Sequence, residues 1–211
     1  LLDLKYCEGG KSGATVICEA LKKNTNLTEL RMYYNRVGNL GAEEFHKALE
    51  SNSTLRILNL GRNSIGDSGL KALSKGLAEN KGLLELNLED NSFDDDDGVA
   101  ALGQALKKNT TLTCLDVNNC DIEKSGFSSL CEALKTNKAL VSLNLSHNNC
   151  GSSAGKMLKD LMKGNTTLTK LYLGSIGLGS GAKEFLESLK GNSTLVKLEI
   201  DGKKRDLVSQ I

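Results

Sequence analysis

Residues 55–63 read Leu-Arg-Ile-Leu-Asn-Leu-Gly-Arg-Asn. Leucines at 55, 58 and 60 alternate with polar neighbours, the pattern of a short strand with one buried face. From Gly69 onward the period changes. Leu70, Leu73 and Leu77 lie at helical spacing, one apolar stripe that closes on Asn80. Strand, loop and helix together fill about 28 residues, too few to bury their own apolar surface.

The unit repeats along nearly the whole chain. Leucines at 27, 55, 83, 112, 140, 168 and 195 open each copy, at steps of 28, 28, 29, 28, 28 and 27 residues. Three residues later stand Leu30, Leu58, Leu86, Leu115, Leu143, Leu171 and Leu198, with Leu2 in an incomplete first copy. A polar position follows the strand as Asn35, Asn63, Asn91 and Asn148, replaced by Cys7, Cys120, Ile176 and Lys203 in the other copies. The Asn that closes each helix (24, 52, 80, 109, 137, 165, 192) suits a left-handed position just past a helix end. Glycines 13, 41, 69, 98, 126 and 181 stand before the stripe and suit a tight entry turn.

Leu-x-x-Leu-x-Leu-x-x-Asn, followed by a helix and Asn-x-x-Leu, resembles the ribonuclease-inhibitor-like class of leucine-rich repeats. The resemblance implies a right-handed curved α/β solenoid of about seven 28-residue repeats, with a parallel sheet inside and helices outside. Residues 1–211 then form one domain, with 201–211 as a C-terminal tail in which Leu207, Val208 and Ile211 fold over the last repeat. Leu1–Leu4 begins in mid-repeat and would leave an apolar strand edge open, so further repeats or a cap are expected upstream.

Composition removes several classes of function. The 211 residues carry 27 Lys+Arg against 26 Asp+Glu, a balance that argues against nucleic-acid or membrane binding, which draws on a basic excess. No apolar run approaches a membrane span. Gly9-Gly10-Lys11-Ser12 has the context of a phosphate loop, but Lys5 occupies the place of that motif's first glycine. The segment also shares a column with Gly66-Asp67-Ser68-Gly69, an ordinary turn. Asp94–Asp97 are consecutive, whereas calcium loops space their ligands at alternate positions, so a solvated helix start is expected and no metal. Of the six cysteines, 7 and 120 share one column and 18 and 131 another, each pair four repeats apart and too far for a disulfide, and the set is read as buried free thiols in a reducing, cytoplasmic compartment. No base stands at triad or metal-ligand spacing, so no catalysis and no cofactor are expected.

Function should then lie on the outward strand positions, which a repeat leaves free to vary. All four tyrosines fall in these columns and all four phenylalanines in buried ones. Tyr6, Tyr33, Tyr34, Arg31 and Arg62 should cluster on three adjacent repeats, beside an acidic stretch of Glu85, Glu89, Asp90 and Asp116, with Tyr172 farther along. Tyr and Arg dominate binding hot spots. A monomeric module that binds a protein partner in its concavity is the expected function. The resemblance also covers ribonuclease inhibitors, the sensing ends of NOD-like receptors, actin-capping tropomodulins and Ran GTPase activators, and it leaves a GTPase activator of the Ran type as the alternative.

Overall fold

The computed structural model describes residues 1–200 in full and the backbone of 203–206. Nine strands form one sheet in sequence order. The first eight are parallel and in register: β1 (Leu2–Asp3), β2 (Glu29–Arg31), β3 (Ile57–Asn59), β4 (Glu85–Asn87), β5 (Cys114–Asp116), β6 (Ser142–Asn144), β7 (Lys170–Tyr172) and β8 (Lys197–Ile200). Helices α1 (Gly10–Leu21), α2 (Gly38–Ser51), α3 (Asp67–Glu79), α4 (Asp97–Lys108), α5 (Lys124–Thr136), α6 (Ala154–Gly164) and α7 (Ala182–Ser188) return the chain to the next strand. The result is a curved α/β solenoid. The second leucine of each repeat pairs with its counterpart in register, Leu58 with Leu86 and Leu86 with Leu115, and Leu30 through Leu198 are buried in one continuous core.

The last strand is a departure. β9 (Lys203–Asp206) runs antiparallel to β8, with Leu198 opposite Arg205, where the preceding strands pair in parallel. The expected packing of Leu207, Val208 and Ile211 lies outside the described residues, as do Asp201 and Gly202. At the opposite edge Leu1 is 69% exposed, and Leu2, Leu4 and Ile17 are partly buried.

Two ladders of asparagine bind repeat to repeat. In the first, Asn63 donates through Nδ2 to the Met32 carbonyl at 2.8 Å, and its Oδ1 accepts from the amides of Asn35 and Val37. Asn91 and Asn148 do the same to Leu60 and Val117. Cys120 takes the column's place between them with its thiol directed at the Leu88 carbonyl, 3.2 Å away. In the second ladder Asn80 donates to the carbonyls of Leu49 and Asn52 at 2.7 and 2.8 Å and accepts from the amides of Gly82 and Leu83. These closing asparagines are not left-handed: Asn80 has φ −66° and ψ 136°, and Asn52, Asn109, Asn137, Asn165 and Asn192 are likewise extended. Asn is required there because one amide both closes the turn below it and satisfies the carbonyls of the helix end before it, groups that would otherwise be buried unpaired.

The glycines before the stripe also serve a different end. Gly41, Gly69, Gly98 and Gly126 lie inside the first turn of their helices, and none has positive φ. A Cβ on Gly69 would stand 2.7 Å from Asn39 Oδ1, and one on Gly98 would stand 2.8 Å from Asp67 Cα. They let neighbouring repeats approach. The turn itself is made earlier, at Gly10, Gly38 and Gly151, whose φ values are +54°, +62° and +75°.

Four cysteines are buried free thiols, but Cys7 is exposed and Cys114 half-buried. Cys7 shares the column of Cys120 but is exposed. Burial pushes the thiols of Cys18 and Cys150 up to about 12, and raises those of Cys120 and Cys131 as well.

Candidate functional site

The strands present two rows to the concave side. Asp3, Arg31, Asn59, Asn87, Asp116, Asn144, Tyr172 and Glu199 stand side by side on the sheet floor through the ladder register. Beyond the strand ends a second row forms a rim: Tyr6, Tyr34, Arg62, Asp90, Asn119, His147 and Ser175. Every member of that rim has left-handed backbone, with φ between 50° and 58°. A non-glycine residue there costs roughly 1–2 kcal/mol. Its amide hydrogen bond to the next repeat offsets part of that, as in Tyr34 to Gly61 at 3.0 Å and Arg62 to Glu89 at 2.9 Å. The turn throws each rim side chain over the edge of the hollow.

Three tyrosines meet at the first two repeats. Tyr6 packs edge-on against Tyr33 with ring centroids 5.7 Å apart and tilts against Tyr34 at 5.5 Å. Tyr6 is 65% and Tyr34 42% exposed, so this aromatic cluster faces solvent. The Arg62 guanidinium stands 5.9 Å from the centre of the Tyr33 ring. Its Nε donates to Asp90 Oδ2 at 2.8 Å, and Asn119 Nδ2 donates to Asp90 Oδ1 at 2.5 Å. Although burial works against it, those two donors hold the Asp90 carboxyl below its ordinary range. Tyr6, Tyr33, Tyr34, Arg62, Asp90 and Asn119 are thus one connected patch, and Asn119 was visible in the sequence only as one more outward position.

Other members of the expected set make contacts of their own. Arg31 lies on the floor two residues before Tyr33, with Nη2 2.5 Å from Glu29 and Nη1 3.8 Å from Asp3, to which Lys5 adds a contact at 3.6 Å. Tyr172 sits on β7, its ring under the Lys197 ammonium at 4.5 Å. Glu85, Glu89 and Asp116 occupy the middle of the face and make no ion pair among the described residues. Burial raises the carboxyls of Glu89 and Asp116, and Asp116 raises Glu89 further. Asn87 donates to Glu89 at 3.3 Å, while Asn144 and the Asn118 amide donate to Asp116 at 3.0 and 2.9 Å.

Gly61 joins the aromatic and acidic halves. A Cβ there would meet Glu89 Cγ at 2.9 Å, Tyr33 Cδ2 at 3.0 Å and Asn87 Oδ1 at 3.2 Å. With no side chain at 61, the ring and the carboxylate stem close over the same point. The sequence signal for this is a glycine in register between a tyrosine and a glutamate on adjacent strands, which the ladder alone makes meaningful.

The Asp94–Asp97 run is spent on helix starts. Asp97 pairs with Lys71 at 2.7 Å, and Asp96 accepts from the Glu123 amide and the Ser125 hydroxyl. No group of three or more His, Cys, Asp or Glu able to hold a metal occurs among the described residues. Nor is any described helix long and apolar enough to cross a membrane.

A family model described as leucine-rich repeat matches residues 23–45, 51–74 and 108–131, on three of the repeats that the register defines. The matched segments are leucine-rich repeats. Among 112 solved chains that match it, this leucine-rich-repeat chain is similar to leiomodin-1 actin-binding site 2, at 24% identity and a TM-score of 0.55, with 83% of this chain and 86% of that one covered. It is also similar to the C-terminal domain of a Caenorhabditis elegans tropomodulin, at 15% identity and a TM-score of 0.60, with 71% and 91% covered. At these identities the likeness is one of fold. No curated protein sequence matches it.

Proposed function

We propose that this leucine-rich-repeat chain is a protein-binding module that docks a protein partner on its concave face and performs no chemistry of its own. One observation carries the reading: Tyr6 packs against both Tyr33 and Tyr34 while Tyr6 and Tyr34 face solvent, with Arg62 beside the Tyr33 ring. A rigid aromatic cluster buries large area on docking at little entropic cost, and such residues anchor most interfaces. The floor and rim residues Arg31, Glu85, Glu89, Asp90, Asp116 and Tyr172 would form its polar surround.

Actin is the first purified partner to try, because one similar structure is named as an actin-binding site. The test of the face itself compares the chain with Tyr33→Ala/Tyr34→Ala. The double variant should keep its circular dichroism and thermal transition but lose about 2 kcal/mol or more of affinity for a purified partner. Equal binding by a folded variant rejects the footprint.

A further inference from the structure

The charges on the concave face are not distributed evenly. On the first two strands Asp3, Lys5, Glu29 and Arg31 neutralise one another through contacts of 2.5–3.8 Å. In the middle, Arg62 and Asp90 do likewise. Glu85, Glu89 and Asp116 remain, carboxylates of two neighbouring repeats that make no ion pair among the described residues; Glu89 and Asp116 accept hydrogen bonds, and Arg62 is the cation nearest Glu89. Two of them are partly desolvated, and the ladder holds Asp116 beside Asn87, whose side chain donates to Glu89. Charges so placed repel one another and are relieved by a cation brought from outside.

The neighbouring surface is suited to the same cation. Tyr33 leans over Gly61 toward Glu89, so an aromatic ring and a carboxylate share one edge. The Arg62 guanidinium already stands near that ring, an internal example of the contact. The whole chain has a formal net charge of only +1, so any preference for cationic ligands must come from this local arrangement.

We propose that the strip formed by Tyr33, Glu89, Glu85 and Asp116 receives a lysine- or arginine-bearing segment of the protein partner, one cationic side chain lying against Tyr33 and Glu89 and the next toward Asp116 and Glu85. The inference rests on the concave-face reading above and adds the chemistry of the partner to it. It also sets orientation: the basic segment crosses the middle repeats while the tyrosine cluster takes apolar contacts.

The test titrates the chain with a synthetic alternating lysine–alanine peptide of ten residues and with its glutamate–alanine counterpart, followed by tyrosine fluorescence and amide chemical shifts. The lysine peptide should bind with an affinity that falls steeply as salt rises, and should shift the amides of Tyr33, Gly61, Glu89 and Asp116. Glu89→Gln/Asp116→Asn should weaken it at least tenfold. Glu43→Gln/Glu79→Gln, an equal change of net charge on the helices, should leave it unchanged. Binding of the glutamate peptide as tight as the lysine one, or no loss in Glu89→Gln/Asp116→Asn, overturns the inference. Two patterns with the purified protein partner separate the levels of failure. Loss in Tyr33→Ala/Tyr34→Ala without loss in Glu89→Gln/Asp116→Asn retains the face and removes the basic segment. No loss in either removes both.

Discussion

The floor of the first two repeats and the floor of the middle repeats share one backbone, one register and one set of buried leucines, yet their electrostatics are opposite. At Asp3, Glu29 and Arg31 the charges close on each other within the molecule. At Glu85, Glu89 and Asp116 they are left open. A solenoid allows this because each strand supplies its own outward side chains, and the core beneath does not depend on them. Surface ion pairs contribute little to stability. The contrast therefore costs the fold little and changes greatly what the face can attract.

The largest effect comes from breaking the frame that both floors share. Asn80→Ala should cost about 2–4 kcal/mol, because it leaves the Leu49 and Asn52 carbonyls and the Gly82 and Leu83 amides without their partner. Urea denaturation would measure it, and a loss under 1 kcal/mol would mean that the ladder is incidental.

A smaller effect of opposite sign sharpens the contrast. Glu89→Gln/Asp116→Asn should stabilise the chain at neutral pH by about 0.5 kcal/mol, the ordinary scale for surface changes. Burial raises both carboxyls in the folded state, where Glu89 faces Asp116, Asp90, Arg62 and Asn87, and Asp116 faces Asp90, Asn118 and Asn144. A raised folded value means that the folded chain binds the proton more readily than the unfolded one. This pair should therefore make the wild type gain stability as pH falls from neutral through the raised values, with no further gain below the ordinary carboxylate range. Thermal melts from pH 7 to pH 4 should show that rise, and the double variant should flatten it. A wild type that loses stability at the upper end of that window, relative to the variant, would contradict the raised direction.

The smallest effect tests the first floor. Arg31→Ala frees Glu29 and leaves Asp3 with Lys5 alone, and should cost no more than about 0.5 kcal/mol. It makes the first floor resemble the middle one, so the lysine–alanine peptide should then perturb Glu29 as well. No change at Glu29 would show that carboxylates alone do not attract the probe and that Tyr33 is needed beside them.

Much of this was legible in the residues before any coordinates. The leucine spacing set the repeat, the strand face and the helix stripe, and the outward columns held the tyrosines where Tyr6, Tyr33 and Tyr34 are found. Two departures from the sequence reading share a cause. The closing asparagines are extended, and Gly69 and Gly98 make room for the preceding repeat. Each was judged by its own repeat, whereas its role is set by the repeat beside it.

Periodicity is a property of one chain read along its length, and so the sequence by itself determined the number of repeats, the buried columns and the face open to solvent. Which side chains touch across repeats depends on distances between strands and on the left-handed turns that swing the rim outward. Only the tertiary structure could pair Arg31 with Glu29 and Asp3, tie Arg62 and Asn119 to Asp90, and bring Tyr33 and Glu89 together over Gly61. The reason is physical: residues 28 positions apart have no local interaction, and become neighbours only when stacked helices and sheet hold the ladder in register.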